Sequence, residues 1–181
     1  MLLGVAGPKG SGKDTFASVF NSYSGQRFVV RAFAEPLKLI CQQMYLLTDE
    51  QLYNQEAKER VDERWGLSPR QMFQQFGTDY VRNQLDPDFW LKHFEMWYLS
   101  LEPGTPVIVP DVRFQNEVDL VHRLGGKVVF IYRPFTGDGE QDLHESEVNA
   151  SQLQNVDFTM NNCGSLVQFY QAVDQFYGAF D

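Results

Sequence analysis

The sequence predicts an α/β fold in which a parallel sheet carries helices on both faces. Apolar segments of strand length alternate with segments whose apolar residues recur at helical spacing. The first strand leads at once into a glycine-rich turn and a helix. Charged residues stand within two positions of three of the five predicted strand ends. Strands separated by helices pair in parallel, and such sheets bind ligands beyond the carboxyl ends of their strands.

The elements follow one another in a regular order. The first strand, Leu2–Ala6, precedes a helix that includes Phe16–Phe20. Pro36 and Pro69 stand where proline suits the first turn of a helix. The other predicted strands are Arg27–Phe33, Thr105–Val109, Lys127–Tyr132 and Val156–Met160. The other predicted helices are Pro36–Leu47, Thr48–Arg60, Ser68–Gln84, Asp86–Leu101, Phe114–Leu124, His144–Ala150 and Ser165–Tyr177.

Length and composition narrow the class of protein. A chain of 181 residues with 43% hydrophobic and 22% charged residues predicts one domain, 1–181, with a helical excursion at about 36–101 and a lid-like loop at about 133–147. A net charge of −9 argues against nucleic acid or an anionic membrane as the main partner. No segment approaches transmembrane length. The two cysteines lack paired spacing, so we expect free thiols and a cytoplasmic protein.

The glycine-rich turn, Gly7–Thr15, predicts a loop that binds the phosphates of a nucleotide. Its glycines allow successive N–H groups to point at an anion, and the following helix adds its N-terminal N–H groups and dipole. Lys13 supplies a mobile positive charge. The spacing fits Gly-x4-Gly-Lys, but Asp14 stands where a hydroxyl normally holds Mg²⁺, and Thr15 comes one residue late. The alternative is an ordinary turn between strand and helix.

Charged residues at two later strand ends are candidates for the same site. Asp111 can hold Mg²⁺ through a water or orient an acceptor phosphate, and Arg113 can clamp phosphate oxygens. Alternatively, Asp111 only caps the helix that follows. Arg133, which precedes a glycine-containing loop, is either a lid arginine or a surface charge. His144 and Glu147 share a helix face, but a lone histidine usually has a structural role.

The predicted helix Ser68–Gln84 carries polar residues three or four positions apart, which would share one face. Glycine in mid-helix costs about 1 kcal/mol relative to alanine, so Gly77 implies a neighbour that needs the space. The alternative is a solvated face with a packing glycine. Trp90 is either a base-stacking or a core residue, as is Phe89, and Lys38 either contacts an acceptor phosphate or is solvated. The residues expected on this face are Arg70, Gln74, Gly77 and Thr78, and the same helix carries Asp79 and Arg82.

Taken in order, these motifs resemble the bacteriophage deoxynucleoside monophosphate kinases, P-loop enzymes related to adenylate and thymidylate kinases. The resemblance covers nearly the whole chain, and its ordered set of motifs is highly specific. It rests on Gly7–Thr15, Ala34–Lys38, Arg70–Asp79, Phe89-Trp90, Val109–Glu117, Gly125-Gly126, Arg133-Pro134, His144–Glu147 and Asn161–Leu166. It implies a three-layer αβα P-loop NTPase fold whose five-stranded parallel sheet has the strand order 2-3-1-4-5.

The resemblance also implies a reaction and roles for residues. ATP, with Mg²⁺, would phosphorylate a deoxynucleoside monophosphate. The residues implied for ATP phosphates are Gly10, Ser11, Gly12, Lys13, Asp14, Thr15 and Arg133. Those implied for the acceptor are Lys9, Lys38, Arg70, Gly77, Thr78, Arg82, Trp90, Asp111, Arg113 and Glu117. The catalytic residues would be Lys13, Arg70, Asp111 and Arg113, and the metal would lie near Thr15 and Asp111, through water. Oligomers occur in the family, so a homodimer is one option.

Two other functions fit part of the sequence. A kinase of a small hydroxyl acceptor, similar to dephospho-coenzyme A kinase, would need Asp14 or Asp111 to accept a proton. A non-catalytic nucleotide-binding regulator would need no acceptor pocket, and Arg70, Arg82 and Arg113 argue against it. If the protein comes from a phage, we expect it in the cytoplasm of the host cell.

Overall fold

The computed structural model describes residues 1–25, 27–134, 149–150 and 152–180. Five strands in these ranges form one sheet, and every neighbouring pair is parallel. The strand order is β2-β3-β1-β4-β5, which confirms the predicted α/β class and the predicted order. The strands are β1 (Leu2–Ala6), β2 (Val29–Val30), β3 (Val107–Val112), β4 (Lys127–Tyr132) and β5 (Phe158–Asn161).

The chain divides into two compact units. Unit 1 comprises Met1–Ala32 and Trp97–Asp181 and contains the whole sheet, whereas unit 2 comprises Phe33–Met96. The helices are α1 (Lys13–Tyr23), α2 (Glu35–Tyr45), α3 (Asp49–Tyr53), α4 (Gln55–Glu59), α5 (Pro69–Gln74), a π-helix (Gln75–Leu85), α6 (Phe89–Leu99), α7 (Gln115–Arg123) and α8 (Leu166–Phe180). Only residues 149–150 of the predicted helix His144–Ala150 are described, and both are helical.

In unit 1, apolar side chains pack helices against both faces of the sheet, which gives three layers. On one face of the sheet, Phe16 of α1 and Phe169 of α8 pack with Leu3 and Val5 of β1 in a single buried cluster. Gly4 points to the opposite face, because successive residues of a strand alternate. There a Cβ on Gly4 would lie 3.3 Å from Val121 of α7. Helices therefore cover both faces of β1.

Strand β2 is much shorter than predicted. The apolar run Arg27–Phe33 contributes only Val29–Val30 to the sheet, and both residues are exposed. β2 pairs only with β3 and is therefore an edge strand. Short edge strands limit unwanted pairing with other chains, and a local apolar pattern does not reveal which strand will be at the edge.

Strand β3 is longer than predicted, and this changes the position of Asp111. The prediction ended it at Val109, but the strand runs to Val112. Gly4 pairs with Val109 and Ala6 pairs with Val112, so β3 bulges at Pro110 and Asp111. A bulge tolerates proline because the bulged residue has no ladder hydrogen bond to lose. Asp111 thus lies within the strand and not beyond its end.

Unit 2 differs from the prediction in two helices. The predicted helix Thr48–Arg60 is broken at Asn54, whose side chain accepts a hydrogen bond from the Ala57 N–H and begins α4. The predicted helix Ser68–Gln84 begins with the expected Ser68 cap but continues after Gln74 as a π-helix. A π-helix has a wider turn than an α-helix. The face predicted from α-helical spacing therefore does not continue beyond Gln74.

The core of unit 2 is a separate apolar cluster that includes Leu37, Cys41, Met72 and Trp90. Burial raises the pKa of the Cys41 thiol to about 12, so the thiol stays protonated and unreactive. Cys41 and Cys163 are both free thiols, as predicted. Among the helices of the described ranges, none is long and apolar enough to cross a membrane.

A polar cluster at the start of β4 makes the stability of unit 1 depend on pH. Lys127, the Val128 N–H and His122 each lie 2.8 Å from the Asp157 carboxylate. Partial burial opposes ionisation of Asp157, but these hydrogen bonds outweigh it and lower the pKa of the carboxyl from 3.8 to about 2. The folded state therefore binds protons less readily than the unfolded state, and its stability should fall as the pH drops from about 4 to about 2.

We expect Asp157→Asn to lower the free energy of unfolding at pH 7 by about 1–2 kcal/mol, because the Lys127 ammonium loses its charged acceptor. The variant should also lose less stability than the wild type between pH 4 and pH 2. Urea unfolding at several pH values measures both effects. Asp174→Asn, an exposed substitution on α8, is the control. An acid response of Asp157→Asn equal to that of the wild type would contradict the assignment.

Candidate active site

The turn after β1 has the backbone that a phosphate loop requires. Gly7, Gly10 and Gly12 have φ angles of 135°, 74° and 104°, in the region that favours glycine. A Cβ on Gly7 would lie 2.5 Å from the Ile131 carbonyl oxygen, so the first residue of the loop lies against the backbone of β4. The Ser11 N–H closes the turn on the Pro8 carbonyl at 3.2 Å.

Lys13 is the first residue of α1, and its side chain folds back onto the loop. The ammonium donates to the Gly7 and Pro8 carbonyl oxygens, at 2.7 Å each, and the residue is 8% exposed. The positive charge is therefore held at the loop by backbone groups. The sequence predicts that the Lys13 ammonium binds a nucleotide phosphate at this loop.

The N-terminus of α1 adds a second source of positive potential. Gly12 is its N-cap residue, and within the described residues no side chain caps it. Phe16 N–H donates to the Gly12 carbonyl at 2.8 Å and begins the regular helical bonding. The N–H groups of the first turn and the helix dipole both favour an anion at this end of an 11-residue helix.

Ser11 provides an independent sign that the loop accepts a polar ligand. The residue is 1% exposed, and its hydroxyl has no hydrogen-bond partner among the described residues. A buried hydroxyl without a partner costs free energy, which a native structure normally avoids. The hydroxyl lies 2.8 Å from where a Cβ of Gly7 would be, so it is inside the turn. A phosphate oxygen would supply the missing acceptor.

Beside the loop, a cleft of about 430 Å³ runs along α1 toward the end of β3. Its lining residues are Asp14, Ala17, Ser18, Asn21, Ser22, Val30 and Pro110. The exposed carboxylate of Asp14 thus borders the cleft whose other side includes Pro110, the residue before Asp111. Thr15 is half-buried.

The segment after β3 is held by Glu117 of α7. This carboxylate is 3% exposed and accepts hydrogen bonds from the backbone N–H groups of Arg113, at 2.7 Å, and Phe114, at 3.1 Å. Val112 is buried between Asp111 and Arg113, which are both half-buried. Since Ala6 pairs with Val112, these two charged residues flank a position directly beside the start of the phosphate loop. Glu117 positions this backbone, and its predicted contact with the acceptor stays a prediction.

The described residues offer few ligands for a metal ion. The described residues contain no cluster of three or more His, Cys, Asp or Glu side chains that could hold an ion. A dedicated protein cage for a metal is therefore not present in the described part of the chain. Mg²⁺ is usually held by one or two carboxylates together with substrate phosphates, so it needs no such cage, and the predicted metal residues Asp111 and Thr15 stay predictions.

In unit 2, the predicted acceptor residues Lys38 and Arg70 have ordered surroundings. The Lys38 ammonium lies 5.0 Å from the centre of the Tyr53 ring and 3.9 Å from Glu35. The Arg70 Nε donates to Glu59 at 2.6 Å, and its side chain is 16% exposed. Its Nη2 also donates to the Gln55 side-chain oxygen at 3.3 Å, so contacts within unit 2 hold the guanidinium group in place.

Other predicted acceptor residues lie in the interior of unit 2. Trp90 is 5% exposed and its indole N–H donates to the Gly77 carbonyl at 3.0 Å, so the structure favours its core role over base stacking. A Cβ on Gly77 would collide with Leu37, which explains this glycine by packing. Arg82, 7% exposed, donates to the Pro87 carbonyl at 3.2 Å. Thr78 is also buried, at 8% exposure.

The remaining predicted features are Lys9, Arg133 and the rest of the predicted lid. Lys9 is exposed on the phosphate loop, and Arg133 is exposed directly after β4. The rest of the predicted lid, with His144 and Glu147, lies outside the described residues.

One residue beside the loop had no predicted role. Asn162, which follows β5, donates from its side-chain amide to the Ser11 carbonyl at 2.8 Å. The signal available in the sequence was a polar residue directly after the last strand. The contact joins residues 151 positions apart, so local patterns could not reveal it.

Comparisons with known proteins agree with this geometry. A family model described as deoxynucleotide monophosphate kinase matches residues 47–173. A protein of Acanthamoeba polyphaga mimivirus assigned to the same kinase family is 40% identical over 185 residues, covering 96% of this chain and 94% of the relative. The deoxynucleotide monophosphate kinase of Enterobacteria phage T4 is 30% identical over 62% of this chain, and the matched part is 46% of its own length.

Two solved structures share the fold of this chain. The dephospho-CoA kinase of Campylobacter jejuni superimposes with a TM-score of 0.54 and 16% identity, covering 99% of this chain and 97% of its own. A Thermus thermophilus protein gives a TM-score of 0.53, also at 16% identity, and covers 100% of this chain and 98% of its own. At such identity the likeness concerns the fold alone.

Proposed function

Because the chain belongs to the deoxynucleotide monophosphate kinase family, we propose that it transfers the γ-phosphoryl group of ATP to the 5′-phosphate of a deoxynucleoside monophosphate. The products are ADP and the deoxynucleoside diphosphate. The observation that carries this proposal is the phosphate loop, in which the Lys13 ammonium lies 2.7 Å from two loop carbonyls at the N-terminus of α1. The free thiols of the chain suit a reducing cytoplasm, which is the compartment we propose.

The chemistry needs charge stabilisation more than proton transfer. A monophosphate acceptor is largely ionised above its second pKa of about 6, so no strong general base is required. The barrier comes from aligning two polyanions and from the charge on the transferring phosphoryl group. Lys13, the loop N–H groups and the first turn of α1 oppose that repulsion and stabilise the transition state.

We assign donor and acceptor binding to different groups of residues. The phosphate loop of unit 1 binds the ATP phosphates, and Arg113 neutralises charge near the loop. In unit 2, Lys38 and Arg70 bind the acceptor phosphate. Arg70 donates to Glu59 at 2.6 Å and to Gln55 at 3.3 Å, so an acceptor phosphate would replace or share these partners of the guanidinium group. The buried side chains of Arg82 and Trp90 shape unit 2 without contacting the nucleotide base.

The divalent cation would come with ATP. Asp111, through a water molecule, and Thr15 are the residues that would hold Mg²⁺. When bound, the ion would neutralise part of the charge of the donor phosphates. Its binding by few protein groups is consistent with the absence of a larger ligand cluster in the described residues.

A substrate panel tests the proposed reaction. ATP and Mg²⁺ are supplied with each deoxynucleoside and ribonucleoside monophosphate, and ADP release is followed. We expect turnover with at least one deoxynucleotide and much slower turnover with dephospho-coenzyme A, which carries a hydroxyl acceptor. Turnover with dephospho-coenzyme A and with none of the monophosphates would contradict the proposal.

Asp111→Asn distinguishes metal positioning from proton transfer. If Asp111 orders Mg²⁺ through water, the variant should lose roughly 10- to 100-fold in kcat and recover part of it at higher Mg²⁺ or with Mn²⁺. Its pH–rate profile should keep the wild-type shape, because Asp111 removes no proton. Asp119→Asn, exposed on α7, is the control. A profile that loses its acidic limb without any metal response would favour a hydroxyl acceptor.

A further inference from the structure

The contact between Asn162 and the phosphate loop is unusually well defined. Asn162 is 8% exposed, and its backbone N–H donates to the Tyr132 carbonyl at 2.7 Å, which fixes the residue between β4 and β5. Its side-chain amide nitrogen donates to the Ser11 carbonyl at 2.8 Å. The amide must present its nitrogen here, since a carbonyl oxygen can only accept. Asn162 thus holds the peptide group between Ser11 and Gly12 of the loop.

That peptide group carries the N–H of Gly12. In a trans peptide the carbonyl of one residue and the N–H of the next lie in one plane and point in opposite directions. The peptide bonds of the described chain are trans. By holding the Ser11 carbonyl, Asn162 therefore directs the Gly12 N–H away from itself and toward the other side of the loop.

The peptide group between Ser11 and Gly12 also lies too close to Asn162 to rotate. A Cβ on Gly12 would be 2.6 Å from the Asn162 amide nitrogen and 3.4 Å from the Phe169 ring. The φ angle of 104° at Gly12 belongs to the region that favours glycine. Because both Asn162 and Phe169 are buried, rotation of the Ser11–Gly12 peptide would break the hydrogen bond without offering the carbonyl water in exchange.

We propose that Asn162 is a positioning residue for phosphate binding. It holds the Ser11 carbonyl so that the Gly12 N–H donates to the phosphate chain of the nucleotide. The inference rests on the proposed function, because it takes the loop to be the phosphate site. Asn162 itself contacts no phosphate, so its effect is exerted through the orientation of one peptide group.

Substitution of Asn162, with its neighbour Asn161 as a control, tests this positioning role. Asn162→Ala should weaken ADP binding, measured by calorimetry, by roughly tenfold, the effect of one hydrogen bond to a charged group. The KM for ATP should rise similarly, while the KM for the deoxynucleoside monophosphate changes little. Asn161→Ala removes an exposed asparagine one residue earlier and should leave both values unchanged. Equal loss of affinity for both nucleotides would indicate a structural role and overturn the proposal.

Two further measurements distinguish an error about Asn162 from an error about the phosphate loop. In the wild type, the Gly12 amide proton resonance should move downfield on addition of ADP; no movement overturns the proposal, even if Asn162→Ala does not fold. The same calorimetry on Lys13→Ala tests the premise. If Lys13→Ala loses ADP affinity and a folded Asn162→Ala does not, only the role of Asn162 is wrong. If Lys13→Ala also binds ADP normally, the phosphate loop itself is wrongly assigned.

Discussion

Lys13→Ala should reduce kcat by roughly 10²–10³-fold or more, because it removes the ammonium group that donates to the loop carbonyls of Gly7 and Pro8. The ammonium stabilises negative charge on the transferring phosphoryl group in the transition state. The loss should therefore appear in kcat as well as in the KM for ATP. Single-turnover measurement of ADP formation separates the chemical step from product release.

The fold should survive this change. The Lys13 stem is buried, so Lys13→Met keeps most of its apolar packing and should lose as much activity as Lys13→Ala with a smaller change in Tm. Lys92→Met, which removes an exposed lysine paired with Asp86, is the control for loss of a positive charge. A folded Lys13→Met that forms ADP at the wild-type rate would remove the basis for the phosphate-loop assignment.

Arg70→Ala should raise the KM for the deoxynucleoside monophosphate by roughly 10- to 100-fold, as expected for loss of a charge-assisted, two-point contact with phosphate. The KM for ATP should change several-fold less, because we assign Arg70 to the acceptor alone. Arg70→Lys should recover only part of the loss, since an ammonium lacks the planar fork of a guanidinium. Initial rates with each substrate varied in turn measure the two KM values.

Two variants distinguish acceptor binding by Arg70 from the contacts that Arg70 makes within unit 2. Glu59→Gln weakens the 2.6 Å pair and should lower stability slightly without a comparable rise in the acceptor KM. Arg60→Ala removes a nearby arginine whose side chain is 79% exposed and should have no effect. Equal increases in both KM values for Arg70→Ala would place Arg70 at the donor or in the framework of unit 2.

Several features of the site were predictable because they depend on residues close in sequence. The phosphate loop follows from glycines and a lysine between a strand and a helix, and its left-handed backbone at Gly7, Gly10 and Gly12 is a local property of glycine. Strand β4 was predicted with its observed bounds, Lys127–Tyr132, because it is apolar along its length and bounded by turn residues.

Other features depend on neighbours that the chain reaches only after folding. The bulge that brings Asp111 into β3 is defined by pairing with Gly4 and Ala6, more than a hundred positions earlier. The sequence predicts that Gly77 leaves space for a close neighbour, and only the structure identifies that neighbour as Leu37. The π-helix changed the face expected for Arg70 and Thr78, since a periodic pattern assumes one helix type throughout.

The sequence by itself determined the α/β class, the strand order expected from its resemblance, and the loop that carries Lys13, because strand and helix periodicity and glycine chemistry act over a few residues. Only the tertiary structure decided that Trp90 is a core residue, that Glu117 holds the backbone after β3, and that Asn162 holds the Ser11 carbonyl. These roles depend on burial and on hydrogen bonds between distant segments. Such contacts exist only once the sheet has brought those segments together.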